Sequence, residues 1–388
     1  MRMRAREDQE RLLCGAFRLG GRTRIVAGIL LIGPLSGIRS SGSVPADAQD
    51  PPQDSSPSER PREPATFSNS DTTSQERRIR DAADRGLAYL ARRQERQGSW
   101  SNLSGWGEYP VAMTALAGLA LLMDGNTPTQ GRYAQQVDKA ASFILRAANP
   151  NGLFSKGDVD ARPMHGHGFA MLFLSQVYGM TEDKAEAEQI HEALTKAVKL
   201  TGQSQSPLGG WLYTPDARAD EGSVTVTQIQ GLRGCRNVGI AVPKGLIDQA
   251  MLYLDKSFNA DGGIRYTASA PGPSRPAITA AAVVCWFNAG QFDNPMARQA
   301  LEFCKQKIRP TSTSGGHDFY AHLYLSQALW VSSDREWAEY YRKRADFLLG
   351  LQEPDGSWEG DNVGEIYGTS IALIILQLPY SQLPIMQR

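Results

Sequence analysis

The chain has 388 residues, of which 41 are basic and 41 acidic, so its formal net charge at pH 7 is zero. A nucleic-acid-binding protein needs a basic excess that displaces counterions from phosphates, and we therefore expect no nucleic-acid partner. Hydrophobic residues make up 41% of the chain, which is enough for a packed core. The length suits one large domain or two ordinary ones.

The first 48 residues have the pattern of a signal peptide. Residues 1–24 carry seven arginines, and residues 25–38 form an apolar stretch that is short for a membrane span. Ala46-Asp47-Ala48 fits the small-x-small pattern of a cleavage site. We expect cleavage near Ala48 and export to the periplasm or the medium, with no transmembrane span in the mature chain. The alternative is an uncleaved anchor, and Pro34 together with the cleavage pattern favours removal.

Residues 49–75 are rich in proline and serine and contain one aromatic residue. Such a composition cannot bury enough apolar surface to form a core, so we expect a disordered linker. The folded domain is then predicted over residues 76–388.

A repeat of about fifty residues runs through this domain. Each unit begins with an amphipathic helix, and its equivalent apolar positions are Tyr89, Phe143, Leu200, Tyr253, Phe303 and Phe347. These positions are separated by 54, 57, 53, 50 and 44 residues. Such a recurrence indicates a repeat architecture.

A second, more apolar helix follows each loop. These helices are predicted over residues 109–125, 165–180, 223–239, 275–290, 319–330 and 366–379. A helix that is apolar on nearly all sides must be buried on all sides. Six units therefore predict an all-α fold with six outer and six inner helices, an (α/α)6 toroid with few strands.

Three loops share an element in which a glutamine is followed by glycine and tryptophan. Its copies are Gln94…Gly98-Ser99-Trp100, Gln205…Gly209-Gly210-Trp211 and Gln352…Gly356-Ser357-Trp358. This element resembles the QW motif of the terpenoid cyclase and protein prenyltransferase superfamily, and the resemblance covers about residues 76–380. It implies the same toroid. In this motif we expect the glutamine to cap, and the indole to stack across the turn, so that neighbouring hairpins are tied together.

The resemblance does not bring the catalytic residues of these families with it. Squalene–hopene cyclases carry a DxDD motif where this chain reads Asp220-Glu221-Gly222-Ser223, and alkene protonation needs a carboxylic acid held by a second carboxylate. Prenyltransferases hold zinc with Asp, Cys and His. Here His322 lies near the expected histidine, but the preceding inner helix has no Asp or Cys at its start. We expect neither a metal nor a cofactor.

Three cysteines remain after the predicted cleavage, namely Cys235, Cys285 and Cys304. Their spacing identifies no disulfide. Because Cys235 and Cys285 lie in apolar helical stretches, we expect buried free thiols.

Toroids of this kind bind ligands at the N-terminal ends of the inner helices, where the positive helix ends meet. Four of the five histidines of the chain fall at these ends. The polar residues there are alternatively helix caps, and two histidines at i and i+2 of a helix point in divergent directions. The ligand-binding candidates are His165, His167, Asp220, Glu221, Arg275, His317, Asp318, His322, Glu365 and Tyr367.

The sequence thus predicts an exported repeat protein whose central cavity binds an apolar or peptide-like ligand or a partner protein, with catalysis left open. One alternative is a divergent terpenoid cyclase or transferase, whose cavity would be lined by aromatic residues. Candidates for that lining are Phe169, Phe173, Trp286, Phe287, Tyr320 and Tyr324. Another is a polysaccharide-acting (α/α)6 enzyme, in which Asp220 and Glu365 would serve as acid and base.

Overall fold

The computed structural model describes residues 70–102, 107–160, 162–312, 317–381 and 383–386. The predicted signal peptide, and the linker up to residue 69, lie outside the described residues. Within them are twelve α-helices and isolated β-bridges but no strand. The helices are α1 (Ser70–Arg93), α2 (Pro110–Met123), α3 (Ala134–Arg146), α4 (Pro163–Tyr178), α5 (Lys184–Ser204), α6 (Gly222–Asn237), α7 (Lys244–Lys256), α8 (Pro276–Asn288), α9 (Pro295–Lys307), α10 (Asp318–Ser332), α11 (Asp334–Leu351) and α12 (Glu365–Gln377).

Odd- and even-numbered helices form two layers, as the repeat predicts. Every residue of α2 is buried, whereas α3 buries only one face. Each even-numbered helix contacts the next, and α12 returns to α2, so six inner helices close a ring that the odd-numbered helices surround. The all-α (α/α)6 prediction is confirmed. Among the described helices, none is long and apolar enough to cross a bilayer.

Glycines let neighbouring inner helices approach closely. A Cβ atom added to Gly168 of α4 would lie 2.6 Å from the Thr227 backbone of α6, and one added to Gly118 of α2 would lie 2.4 Å from the Phe173 ring of α4. These distances are too short for a real side chain. Helix α4 therefore packs closely against both α2 and α6.

The three Gly-x-Trp loops hold the outer layer together. The indole nitrogens of Trp100, Trp211 and Trp358 each donate to a carbonyl of the preceding outer helix, over 2.8, 2.8 and 2.7 Å. The indoles thus anchor within their own hairpins by hydrogen bonds. The link between hairpins comes from the glutamines: Gln94 and Gln205 donate to carbonyls in the next outer helix over 2.9 and 3.0 Å.

The third glutamine joins the two ends of the domain. The side-chain amide of Gln352 donates to the Gly356 carbonyl of its own loop over 3.0 Å and to the Ala82 carbonyl of α1 over 2.9 Å. Arg85 of α1 donates to the other side-chain atom, Oε1, of Gln352. The contact between α11 and α1 therefore closes the outer layer.

Candidate functional site

One position near the start of each inner helix faces the outer layer. In five helices its side chain accepts a hydrogen bond from a backbone amide of the preceding loop, over 2.9 to 3.2 Å. We call this residue the brace. The braces are Thr114, His167, Thr225, Thr279 and Thr369, and His322 takes the same place in α10.

The brace position explains two of the predicted ligand-binding histidines. His167 is fully buried, its Nδ1 accepts from the Phe154 amide over 3.2 Å, and its Nε2 lies 3.1 Å from Thr201 Oγ1 of α5. His322 is also fully buried, with Nδ1 2.7 Å from the Tyr340 hydroxyl of α11. Both imidazoles lie between the layers. The structure does not bring either of them to the centre of the ring.

The residue two places before each brace lies on the opposite side of its helix, because two residues of an α-helix turn through about 200°. These residues face the axis of the ring at the N-terminal ends of the inner helices. We call this group the mouth. It consists of Ala112, His165, Ser223, Ala277, Tyr320 and Tyr367.

Contacts across the mouth join three of its members. His165 Nε2 lies 3.0 Å from Ser223 Oγ, and the Tyr320 hydroxyl donates to the Ser223 carbonyl over 3.3 Å. The side chain of His165 is 23% exposed. Of the three predicted histidines that lie within inner helices, His165 is thus the one that solvent and a ligand can reach, and His317 is exposed just before α10.

Glu221 orders the polar side chains beside His165. It is fully buried and caps α6: its carboxylate accepts from the Ser223 amide over 2.9 Å, the Ser223 hydroxyl over 2.6 Å and the Val224 amide over 2.6 Å. Burial raises the pKa of Glu221, and these hydrogen bonds oppose that shift. A carboxylate surrounded by three donors is an acceptor, and it has no orientation in which to deliver a proton to a ligand.

The same hydrogen bonds determine which ring nitrogen of His165 carries the proton. Since the Ser223 hydroxyl donates to Glu221, Ser223 Oγ must accept from His165, and Nε2 therefore carries the hydrogen. Burial, followed by the charge of Arg162, lowers the pKa of His165. The imidazole is neutral at pH 7, and its Nδ1 keeps a lone pair.

Three tyrosines that the ligand-binding candidates did not include lie in or beside the mouth. The guanidinium of Arg162 lies 4.4 Å from the centre of the Tyr213 ring, and that ring is 5.8 Å from the imidazole of His165. The hydroxyls of Tyr213 and Tyr266 are in contact, and Tyr266 is 42% exposed. Tyr320 completes the set. Tyr213 and Tyr266 lie in loops whose course the helical periodicity does not predict, so neither residue could be selected from the sequence.

An acidic group stands on the other side of the mouth. The Asp361 carboxylate accepts from the Phe319 and Tyr320 amides at the start of α10, each over 3.2 Å, and from the Tyr367 hydroxyl over 3.4 Å. Burial and the charge of Asp361 raise the pKa of Asp318. Asp361 has a φ of 48°, in the left-handed region that costs a non-glycine residue energy.

The remaining predicted candidates serve other purposes. Asp220 is 5% exposed and accepts from the Thr267 hydroxyl over 2.8 Å, so it holds the loop before α8. Glu365 accepts from the Tyr89 hydroxyl of α1 over 2.5 Å. Arg275 and His317 are exposed residues that precede α8 and α10. Because α6 and α12 are opposite one another in the ring, the structure does not pair Asp220 with Glu365.

Side chains fill the axis directly below the mouth. The next axis-facing residue of each inner helix lies one turn deeper, and each of these six residues is at least nine-tenths buried. Trp286 instead donates to Asp255 of an outer helix, and Phe173 packs against Gly118. The mouth is therefore shallow. The six residues that fill the axis are Leu116, Phe169, Thr227, Ala281, Tyr324 and Ile371.

Within the described residues, no group of three or more His, Cys, Asp or Glu side chains is placed to hold a metal ion. Among the described residues, Cys235, Cys285 and Cys304 are free and buried, as the sequence predicts.

The sequence is related to that of a terpenoid enzyme. Over 201 residues the chain is 26% identical to drimenyl diphosphate synthase from Streptomyces showdoensis. The alignment takes in 52% of the chain and 35% of the synthase, so the chain matches about a third of that enzyme's length. The chain is terpenoid cyclase-like. No protein-family profile matches it.

Solved structures share the fold. The type II terpene cyclase MstE from Scytonema superposes with a TM-score of 0.55 and 17% identity, covering 78% of this chain and 98% of the cyclase. A variant of that cyclase, in complex with geranylgeranyl dihydroxybenzoate, superposes with a TM-score of 0.56 and 15% identity. The superposition covers 79% of this chain and 98% of the variant. An inactive α-1,6-mannanase variant from a Salegentibacter species, bound to α-1,6-mannotriose, superposes with a TM-score of 0.58 and 10% identity. The superposition covers 77% of this chain and 98% of the mannanase. At these identities the likeness concerns the fold.

Proposed function

We propose that the protein binds a short peptide-like ligand at its mouth and does not protonate an alkene there. One observation carries this proposal: charged groups of opposite sign stand at the starts of two inner helices on opposite sides of a shallow, tyrosine-lined opening. Arg162 precedes α4, and Asp318 and Asp361 stand at the start of α10, which is opposite α4 in the ring.

A peptide matches this distribution of charge. Its terminal carboxylate suits the guanidinium of Arg162, and its terminal ammonium suits the carboxylates beside α10. Between them, Tyr213, Tyr266 and Tyr320 offer rings and hydroxyls to the peptide backbone. Nδ1 of His165 adds a hydrogen-bond acceptor.

Two features argue against terpenoid cyclisation. Glu221, at the position of the cyclase acids, accepts three hydrogen bonds and is fully buried. Leu116, Phe169, Tyr324 and Ile371 occupy the axis where a polyprenyl chain would lie. A polysaccharide-cleaving site is disfavoured because Asp220 and Glu365 are bound to separate parts of the ring, by Thr267 and Tyr89 respectively.

Saturation-transfer NMR tests the binding directly. Trialanine is expected to receive saturation from the protein. A trialanine that is blocked at both ends is expected to bind about tenfold more weakly, because it loses two charge contacts that each contribute less than about 1 kcal/mol at a partly exposed site. Tyr266→Ala is expected to weaken binding. The matched control is Tyr380→Ala, because Tyr380 is 52% exposed and follows the C-terminal end of α12, whereas the mouth lies at the N-terminal ends of the inner helices.

The competing functions are tested with their own substrates. Farnesol and mannotriose are expected to receive no saturation, and incubation with geranylgeranyl diphosphate is expected to yield no cyclised product by gas chromatography and mass spectrometry. A cyclised product would replace the proposal with the cyclase alternative. Equal binding of the free and the blocked peptide would remove the role given to the opposed charges.

Export is a second part of this proposal. It rests on the arginine-rich start, the apolar stretch over residues 25–38 and the Ala46-Asp47-Ala48 pattern. Expression of the full chain in a bacterium, followed by N-terminal sequencing, is expected to give a protein in the periplasm or medium that starts at Gln49. Recovery of an unprocessed chain from the cytoplasm would contradict it.

A further inference from the structure

One hydroxyl of the mouth is held by a buried carboxylate. Ser223 is half-buried, and its Oγ donates to Oε1 of the fully buried Glu221 over 2.6 Å. A serine becomes a nucleophile when an adjacent base lies within hydrogen-bond reach of its hydroxyl. The peptide binding proposed above does not use Ser223, so this contact remains to be explained.

Glu221 is placed to act as a base toward this hydroxyl. Its carboxylate also accepts from the Ser223 amide over 2.9 Å and from the Val224 amide over 2.6 Å, and these two backbone bonds fix its orientation. Burial raises the pKa of Glu221, and the hydrogen bonds oppose that shift. A buried carboxylate takes up a proton more readily than an exposed one. The proton of the Ser223 hydroxyl is therefore the one that Glu221 is oriented to receive.

His165 lies beside the same oxygen atom. Its Nε2 carries the hydrogen and is 3.0 Å from Ser223 Oγ. The positive charge of Arg162 acts on both His165 and Glu221, so the guanidinium is near this group as well. When an oxygen attacks an acyl carbon, negative charge develops on the carbonyl oxygen, and donors beside the attacking atom stabilise it.

The chain contains a second serine–glutamate contact that serves as a comparison. Ser101 donates to Glu95 over 2.8 Å, and Ser99 donates to the same carboxylate over 2.6 Å. Glu95 is exposed, whereas Glu221 is buried. Burial raises the pKa of Glu95, but hydrogen bonds from Ser99 and other side chains outweigh that effect and lower it. Glu95 is thus the weaker base of the two.

We propose that Ser223 is acylated by thioesters and aryl esters that enter the mouth. Ser223 Oγ bonds to the acyl carbon, the bond from that carbon to the thiolate or phenolate breaks, and the Oγ proton passes to Glu221. Because Glu221 is turned toward its own helix, it gives no proton to the leaving group. Thiols and phenols are acidic enough to leave as anions, whereas amines are not, so a bound peptide is not cleaved. This activity goes beyond peptide binding and does not require the opposed charges.

Acetylation of the full chain with p-nitrophenyl acetate tests the proposal. Mass spectrometry of tryptic peptides is expected to find one acetyl group per chain, on Ser223, and Ser223→Ala is expected to lose it. Ser101 is the internal control and is expected to stay unmodified. Acetylation of Ser101 as fast as Ser223, or of His165 in place of Ser223, would overturn the proposal.

Two variants decide which residue is the base. His165→Gln keeps an N–H donor and cannot take up the Ser223 proton, and it is expected to slow acetylation by less than about tenfold. Glu221→Gln in that background removes the base and is expected to slow acetylation about a hundredfold further. Circular dichroism checks that both variants are folded. A folded double variant that reacts like His165→Gln would overturn the proposal, as would a His165→Gln variant that is not acetylated.

The same reaction separates this activity from peptide binding. Trialanine is expected to slow acetylation because it covers Ser223. Acetylation of Ser223 that trialanine does not slow would support the activity and count against the peptide proposal alone. Binding of trialanine to a protein whose Ser223 is not acetylated would overturn the activity alone.

Discussion

The Phe154 amide donates to Nδ1 of His167 over 3.2 Å, in the place where four other hairpins use a threonine hydroxyl. The imidazole is longer than a threonine side chain, and its second nitrogen reaches Thr201 of α5 over 3.1 Å. His167 therefore joins its loop, its own inner helix and the outer helix of the next hairpin. This relationship makes His167 a structural residue and leaves His165 as the histidine of the pair that faces the mouth.

Replacing His167 by alanine is expected to destabilise the protein by about 2–4 kcal/mol, because the change leaves the buried Phe154 amide without an acceptor and opens a cavity. His165→Ala is the control, since the His165 side chain is 23% exposed and is expected to cost less than about 1 kcal/mol. Urea unfolding followed by circular dichroism gives both values. An equal loss of unfolding free energy in both variants would show that His167 is not the structural residue of the pair.

The stability of the fold is expected to depend on pH through the same residue. Burial lowers the pKa of His167 to about 4 from an ordinary value of 6.5. Between these values the unfolded chain binds the proton and the folded chain does not, so stability falls as the pH is lowered through this window, by up to about 1.4 kcal/mol per pH unit. Burial and the charge of Arg344 lower the pKa of His322, which acts in the same direction.

A comparison of melting temperatures at pH 7 and pH 5 isolates the part due to His167. His167→Gln keeps an acceptor and a donor on the side chain but cannot titrate. The variant is expected to lose fewer degrees than the parent between the two pH values. A parent and variant that lose the same amount would show that His167 is protonated in the folded state.

The fold could be predicted from the sequence because it depends on local patterns. The same contacts recur in each unit of the repeat. They are indicated by the 50-residue spacing, by the buried second helix of each unit and by the Gly-x-Trp loops. The role of His167 could not be predicted, because the equivalent residue in four other inner helices is a threonine. The equivalence consists of a hydrogen bond from a loop amide to the inner helix, and only the structure shows that bond. Position within the hairpin would have identified it, whereas residue type suggested a ligand.

The mouth could be predicted only in part. His165 and Tyr367 were selected by their place at the start of inner helices, and both lie there. Tyr213, Tyr266 and Asp361 were not, because they come from loops whose course no periodicity predicts. Loops that fold over a ring bring together residues that are distant in sequence, and only the tertiary structure decides which of them meet.

Removal of the Gln352 side chain is expected to loosen the place where the ring closes. Gln352→Ala loses hydrogen bonds to Ala82 and Gly356, which together contribute about 1–2 kcal/mol. Because this contact joins the first and last hairpins, amide hydrogen exchange is expected to rise in α1. The control is Gln205→Ala, which loses equivalent bonds to Gly209 and Leu246, and it is expected to leave exchange in α1 unchanged. A rise in both variants would contradict a special role of Gln352.

Cys235, Cys285 and Cys304 are expected to be unreactive in the folded protein. Burial raises the pKa of Cys235 to about 12 and raises the pKa values of Cys285 and Cys304 still further. The thiolate is the reactive form, so iodoacetamide at pH 8 is expected to label none of them until guanidinium is added. Mass spectrometry of the tryptic peptides counts the labels. A disulfide between any two, or rapid labelling without denaturant, would show that the packing around these cysteines opens.

The state of His165 is expected to depend on Glu221. In the parent the Ser223 hydroxyl donates to Glu221 over 2.6 Å, which places the imidazole proton on Nε2. In Glu221→Gln the side chain has one acceptor oxygen for three donors, so α6 is expected to lose about 1 kcal/mol of capping and the Ser223 hydroxyl becomes free to donate to His165. The proton then moves to Nδ1. Nitrogen NMR of ¹⁵N-histidine distinguishes the two tautomers, and Ser223→Ala serves as the control because it removes the link altogether. A parent protein with its proton on Nδ1 would show that Glu221 does not set the chemistry of the mouth.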